Sequence, residues 1–319
     1  MTISIIIPVY NAEATLEHTL TSLFGQLRPQ TELIIVNDGS TDSTPLIVER
    51  FASKAEEICH VIHQENAGVA VARNRGIDVA TGEYLVFLDA DDRFPEGALA
   101  RILQLTETGA DIIGWDWVND TASKHCRFRQ ADYDTPEQAL KNLMGGTMKW
   151  NLWLFAIKRD LIINNNLQFI PGADMGEDMS FMLKAFSYAR KIQQVHEPLY
   201  FYNAANPSSI SIRLNERRRG EVDRNLASAV AYLQTTPYAD ICNTYLPHLK
   251  LFIKLPLLIG FSFEDYRLWY QWMPEANPYA IKNKALPFRI RILQGMATKR
   301  LWSGVWLYNC CYRFLLRFK

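Results

Sequence analysis

The chain has 319 residues, 48% hydrophobic and 21% charged, which suits a soluble globular protein of one large or two modest domains. The net charge is +0, but all 34 acidic residues lie at or before Glu275, so residues 1–275 carry −9 and the rest +9. Such asymmetry points to a polyanionic partner for the basic stretch, either nucleic acid or an anionic membrane.

Residues 2–9 are rich in β-branched side chains and predict a first strand, with Pro8 near its end removing a ladder donor. No basic segment precedes this run, so it reads as a strand and not as a signal peptide. A helix follows, with Leu16, Leu20, Leu23, Phe24 and Leu27 on one face. The second strand, 33–36, ends in the turn and N-cap cluster 37–42, and Pro45 suits the first turn of a helix reaching about Ala55. A third strand at 61–63 leads through Asn66-Ala67-Gly68 into a helix over 69–80. Residues 84–88 form an apolar run, the mark of a strand buried on both faces. A helix at about 96–106 and a fifth strand at 111–117 complete a β-α-β-α rhythm. That rhythm predicts a mostly parallel sheet with helices on both faces.

The pattern then loosens. A helix begins at Pro136, residues 150–157 read as a strand, and 158–164 as a short helix. Residues 169–176 form a loop, and Glu177-Asp178 opens a helix that buries Phe181, Leu183, Ala185 and Phe186. Residues 199–202 read as a strand. The expected division is an α/β domain over 1–212, with halves 1–117 and 118–212, and a helical module over 213–319. The five cysteines (Cys59, Cys126, Cys242, Cys310, Cys311) include no C-x-x-C pair, which speaks against a zinc site or a disulfide framework and fits a reducing cytosol. No uncharged apolar run approaches the ~20 residues that span a bilayer.

The chemistry centres on Asp89-Ala90-Asp91-Asp92, where the fourth strand leaves the sheet. Ligands bind at the carboxyl ends of strands in open α/β sheets. Two acids around one small residue can hold a hard cation, Mg²⁺ or Mn²⁺, which usually also grips a substrate diphosphate. Alone, such a tripeptide is common and reads more often as a solvated acidic turn that caps the helix after Pro95. Its weight comes from three further loops expected at the same edge: Pro8-Val9-Tyr10-Asn11-Ala12-Glu13, Asn37-Asp38-Gly39-Ser40, and residues 66–76.

Together, Ser4-Ile-Ile-Ile-Pro-Val-Tyr-Asn11, Val36-Asn-Asp-Gly-Ser-Thr-Asp42, Asn66-Ala-Gly with Ala72-Arg-Asn-x-Gly76, and Phe87-Leu-Asp-Ala-Asp-Asp92 resemble the nucleotide-binding half of family 2 glycosyltransferases. The resemblance covers roughly residues 1–205 and implies the GT-A fold. It implies a nucleotide site formed by Pro8, Val9, Tyr10, Glu13, Asp38, Gly68, Arg73, Asp89, Ala90 and Asp91. Pro8 and Tyr10 would pack a uracil ring, with Glu13 close by, and Asp38 would accept from the uracil N3–H. Gly68 would let the backbone approach the ligand, and Arg73 would meet uracil or diphosphate. Asp89 would contact ribose or a metal-bound water, Asp91 would ligate the metal, and Asp92 would cap the next helix.

Gly176-Glu177-Asp178-Met179-Ser180-Phe181 resembles the family's G-E-D-x-x-F, whose Asp is the general base. That implies Asp178 as base, with Glu177 beside it on the acceptor side. Trp153 with Lys158-Arg159-Asp160-Leu161 resembles the family's W-x-x-x-[hydrophobic]-[KR]-R-x-L segment, although Phe155 replaces a usual polar residue. Trp153 would be structural or stack on a sugar. His196 reads as a packed histidine, and residues 206–211 resemble a segment that closes over the diphosphate, with Arg213 its nearest cation.

In the tail, Trp302, Trp306, Tyr308, Tyr312, Phe314 and Phe318 alternate with Arg300, Arg313, Arg317 and Lys319, without acids. This pattern fits a helix in a membrane interface. It also fits a helix packed on the protein with its cations solvated; nucleic acid is a weaker partner, since no nucleic-acid fold signature is present. The expectation is an inverting, Mn²⁺- or Mg²⁺-dependent transferase. It would move a sugar from a UDP-sugar to a hydroxyl of a glycan or lipid-linked saccharide at the inner face of the cytoplasmic membrane. No G-x-G-x-x-G follows the first strand, which counts against a dinucleotide enzyme. The alternatives are another nucleotide-sugar enzyme, such as a sugar nucleotidyltransferase, against which the lack of a glycine-rich basic loop counts, and a non-catalytic sugar-nucleotide or membrane-binding module.

Overall fold

The computed structural model describes residues 1–121, 124–204 and 214–316; the expected segment 206–211, Arg213 and the last three residues lie outside them. The chain divides into two units, residues 1–138 with 150–233, and residues 139–149 with 234–319.

The first unit opens with β1 (Ile3–Val9), α1 (Leu16–Phe24), β2 (Thr31–Asp38), α2 (Thr44–Ala52), β3 (Cys59–Gln64), α3 (Val69–Val79) and β4 (Tyr84–Phe87). These alternate because the β-branched runs can bury both faces of a parallel strand while the helices shield them. Ile3, Ile5, Ile6 and Ile7 are fully buried, as are Leu33 to Val36 and Tyr84 to Val86. Each fully buried side chain of this size contributes roughly 1.5–3 kcal/mol. Register is set by Ile5, which lies opposite Leu33 on one side and Val86 on the other. α3 lies so close to β1 that a Cβ on Gly76 would meet Ile6 Cγ2 at 2.4 Å.

The unit continues with α4 (Ala98–Thr106), β5 (Ile112–Thr121) and β6 (Lys124–Phe128). Beyond α5 (Pro136–Gly145), which crosses out of this unit, come β7 (Phe155–Lys158), α6 (Arg159–Asn164), α7 (Glu177–Tyr188), β8 (Ile192–Asn203) and α8 (Glu216–Leu233). The sheet order is β3-β2-β1-β4-β7-β5-β6, with β8 pairing β5. The sheet is mostly parallel, as the alternation implied. β7 is antiparallel to both β4 and β5, and β6 is antiparallel to β5. Of the expected strand at 150–157, residues Leu152–Leu154 form a 3-10 turn and only the end is extended. The strand expected at 199–202 is the end of the longer β8, which carries a bulge against β5. α8 begins just past the expected 212/213 division, yet it packs within this unit through Lys184 Nζ donating to Ser228 Oγ at 2.9 Å.

By these pairings, β1, β2, β3, β4, β5 and β8 all run the same way. Their carboxyl ends therefore open at one edge of the sheet.

The second unit is helical: α9 (Ala239–Ile253), α10 (Pro256–Ile259), α11 (Phe263–Gln271), α12 (Phe288–Thr298) and α13 (Trp302–Leu316). Its core includes Tyr266 and Trp269, both fully buried. Lys254 is also fully buried; its ammonium donates to Trp272 O, Met273 O and Asn277 Oδ1 and sits 4.4 Å over the Trp269 ring. Three acceptors match the three donors of an ammonium. α13 buries Val305 and Asn309 while Trp306, Leu307 and Phe314 are exposed. Among the described residues no helix is long and apolar enough to cross a membrane.

Candidate active site

The loops after β1 and β2 are stitched together by side chains. Asn11 Oδ1 accepts from Thr41 N at 2.8 Å, Glu13 N donates to Asp42 Oδ2 at 3.1 Å, and Ser43 N donates to Glu13 Oε2 at 2.9 Å. Glu13 thus serves loop geometry. Val9 is buried, Pro8 is half-buried, and Tyr10 is 52% exposed at the open edge.

Asp38 is buried at the end of β2. Its Oδ1 accepts from Gln64 Nε2 at 2.7 Å and Ala67 N at 2.9 Å, and its Oδ2 from Gly68 N at 2.9 Å. A carboxylate here closes the 64–68 turn and aims it along α3. Gly68 sits at φ +93°, and a Cβ there would meet Asp174 Oδ2 at 2.2 Å. The close approach that this glycine permits is therefore to Asp174, which also accepts from Ala70 N at 3.0 Å. Asp174 drew no attention in the sequence, because a lone acid in a loop has no local signature.

Arg73, on α3, is 4% exposed and joins the two halves of the site. Its Nη1 donates to Glu177 Oε1 at 2.7 Å and Asp178 Oδ1 at 2.8 Å, and its Nη2 to Asp89 Oδ1 at 3.2 Å. The guanidinium also lies 5.7 Å over the Phe169 ring. Burial works against its charge, but Asp178, Glu177 and Asp89 more than offset this and hold it protonated. The direct partners of Arg73 are thus carboxylates of the site, a role the sequence did not disclose. Its Nε is buried with no hydrogen-bond partner among the described residues.

Asp178 lies in the first turn of α7, 8% exposed, and its Oδ2 accepts from Leu152 N at 3.2 Å. Each of its oxygens keeps a second lone pair. Burial pushes Glu177 up to about 8; Asp178 beside it adds to the rise and Arg73 opposes it. Burial likewise pushes Asp89 up to about 6, with Arg73 pulling down and Asp178 and Asp91 pushing up. Asp91 is half-buried in the same loop. The Ala90 carbonyl is pinned by the hydroxyls of Thr15 and Thr19, each at 3.0 Å.

Asp92 is not a helix cap. It is 1% exposed, accepts from Tyr200 Oη at 2.8 Å and from Asn203 N at 2.7 Å, and so ties the loop to the end of β8. The residue preceding α4 is Gly97, with no side-chain cap. Trp153 is 4% exposed, stacked on Tyr200 at 4.4 Å and on Tyr202 at 5.5 Å. It buttresses the same corner. His196, on β8, bonds Asp132 at 2.7 Å and is not among the partners of these acids.

Asp89, Glu177 and Asp178 thus gather around one guanidinium, and Asp91 stands near enough to Asp89 to add to the lift that burial gives it. Oxygen donors in surplus fit a hard divalent cation. Among the described residues no three His, Cys, Asp or Glu side chains form a ready metal cage. One or two carboxylates with the remaining ligands from substrate phosphates is the arrangement usual for Mg²⁺.

A family model described as "Glycosyl transferase family 2" matches residues 4–175. The chain is 32% identical over 267 residues to the "Uncharacterized glycosyltransferase EpsJ" of Bacillus subtilis (strain 168), covering 81% of this chain and 77% of that protein. Its fold matches S. aureus TarS 1–349, solved in complex with UDP-GlcNAc, with TM-score 0.66 and 17% identity over 98% of this chain and 92% of that one. It also matches the Pyrobaculum calidifontis mannosyltransferase PcManGT, solved with GDP-Man and Mn²⁺, with TM-score 0.57 and 20% identity over 97% of this chain and 84% of that one. The chain is a glycosyltransferase with the GT-A fold, and it belongs to glycosyl transferase family 2.

Proposed function

We propose that this enzyme moves a sugar from a UDP-sugar to a hydroxyl of a glycan or lipid-linked saccharide, with inversion at the anomeric carbon. The observation that carries this reading is the buried cluster in which Arg73 ties Asp178 of α7 to Asp89 at the end of β4. It supports the reading because the proposed base lies beside one of the proposed donor-side acids.

In this reading Pro8 and Tyr10 flank the uracil, Asp38 reads its N3–H, and the open edge beyond Val9, Gly68 and Ala90 takes the ribose and diphosphate. TarS holds UDP-GlcNAc on the same fold, which supports a nucleotide-sugar donor. Asp178 accepts the acceptor proton as that oxygen attacks the anomeric carbon and the bond to the diphosphate breaks. A hydroxyl is a poor nucleophile until a base takes its proton. Because the acceptor oxygen displaces the diphosphate directly, with Asp178 acting as base and not as nucleophile, the configuration inverts. Arg73 holds Asp178 in position through its 2.8 Å bond, and Asp89 contacts the ribose. Asp91 would hold Mn²⁺ or Mg²⁺, which when bound neutralises charge on the departing diphosphate.

The acid-free stretch after Glu275 and the exposed Trp306, Leu307 and Phe314 support peripheral attachment to the inner face of the cytoplasmic membrane. Nucleic acid is not the proposed partner. Incubation with a panel of nucleotide sugars and Mn²⁺, scored by nucleotide release, tests the transfer reading. Asp178→Asn and Asp91→Ala are each expected to lower turnover by roughly 10²–10⁴; unchanged turnover in either overturns that assignment.

A further inference from the structure

A cavity of about 830 Å³ lies wholly within the helical unit, far in sequence from the loops that build the active site. Ile281, Phe288, Ile292 and Leu301 supply much of its lining, and among the described residues the charged side chains that line it are Arg291 and Lys299. Two of the apolar residues stand open to solvent, Phe288 at 69% and Ile281 at 62% exposed. Two large apolar side chains left in water at one cavity are unfavourable relative to burial. The Arg291 guanidinium lies 5.6 Å over the Phe288 ring, and its Nε is buried with no hydrogen-bond partner among the described residues. A buried, unpaired guanidinium N–H at the wall of an apolar cavity wants an anionic oxygen.

The charged side chains that line the cavity have one sign. No acid follows Glu275, and Glu275 itself is paired with Lys250 at 2.6 Å. A phosphate bearing aliphatic chains satisfies both demands together. Nucleic acid would meet the cations but leave the aliphatic Ile281 and Leu301 in water.

We infer that this cavity is a binding site for an anionic phospholipid of the bilayer. Arg291 and Lys299 take the phosphate, and Ile281, Phe288 and Leu301 enter the acyl region. The inference rests on the membrane-attachment reading above and assigns the contact to the α12 cavity in addition to α13.

Flotation of the full chain with phosphatidylcholine vesicles, and with vesicles that also contain phosphatidylglycerol, tests it. The chain is expected to bind the anionic vesicles and only weakly the neutral ones. Ile281→Ser with Phe288→Ser should weaken anionic binding by about tenfold or more. Arg291→Gln should reduce binding to the anionic vesicles toward the neutral level. A thermal melt checks that each variant is folded, and Trp306→Ser with Phe314→Ser reports on α13 separately. A folded Ile281→Ser/Phe288→Ser variant that binds like wild type overturns the cavity assignment, whatever the α13 variant does. If wild type binds neither vesicle, the membrane reading falls as well, while the donor-panel assay stands apart from both. Binding to inorganic phosphate or to a single-stranded oligonucleotide, without vesicle binding, also overturns it.

Discussion

Arg73 shows how one residue can couple two halves of a site. A guanidinium is planar and can bond separate carboxylates from its two terminal nitrogens, which a lysine's point charge cannot reproduce. Removing one partner of a buried pair costs about 3–5 kcal/mol, because the remaining charge is stranded. Glu177 is the partner with the clearest pH signature. Burial lifts it from its ordinary 4.5 to about 8. Between those values the folded protein holds a proton that the unfolded chain has released, so this residue's contribution to stability falls as pH rises through that window. Glu177→Gln keeps an acceptor for Arg73 and removes the titration. Wild type is therefore expected to melt lower at pH 8.5 than at pH 6, and the variant is expected to lose less over the same interval. Thermal unfolding monitored by circular dichroism measures this; equal losses in the two proteins would remove Glu177 from the account.

At the scale of elements, the loop before α7 has to be held where α3 begins. Asn74 does part of this, donating to Phe169 O and accepting from Phe169 N, each at 2.9 Å. Asn225 of α8 donates to Ala173 O at 2.8 Å and to Met175 O at 3.0 Å. Gly68 and Asp174 complete the clamp at a separation that leaves no room for a methyl group. Gly68→Ala is expected to destabilise the protein by about 1–3 kcal/mol, through the positive φ and the displaced Asp174. Asp174→Ala in the same chain should recover part of that loss, since it removes the clash but not the backbone strain. Denaturant unfolding of the two single variants and the double measures the coupling; simple additivity would show that the two residues do not interact as described. Very little of this clamp was legible beforehand. The strands β1, β2 and β4 announce themselves through β-branched runs, and their loops through dense Asn, Asp, Gly and Ser. The direction of β7 has no such signal, because a four-residue strand reads the same either way. Asp92, Tyr200 and Asp174 act through partners about a hundred residues away, and no spacing rule reaches that far. The acids of the site could be named from their motifs, but the bonds of Asp89, Glu177 and Asp178 to Arg73 needed the fold.

Across the whole molecule the charge is balanced only in sum. The net charge is +0 and the isoelectric point about 7.0, while residues after Glu275 carry no acid. Near pH 7 there is no net repulsion to keep molecules apart, and a basic stretch on one chain can meet acidic surface on another. Screening decides the strength of that encounter. The Debye length is about 30 Å at 10 mM salt and about 8 Å at 150 mM. The average mass in sedimentation at pH 7 is therefore expected to fall as salt rises between those concentrations. The exposed apolar side chains of the helical unit, among them Ile281, Phe288 and Phe314, set up the opposite expectation, since apolar association is not weakened by screening. A mass that stays constant or grows with salt would show that the apolar surface governs encounters between molecules. A mass that falls would show that the separated charge does, and Arg313→Glu, which places an acid in the basic stretch, should then reduce association at low salt.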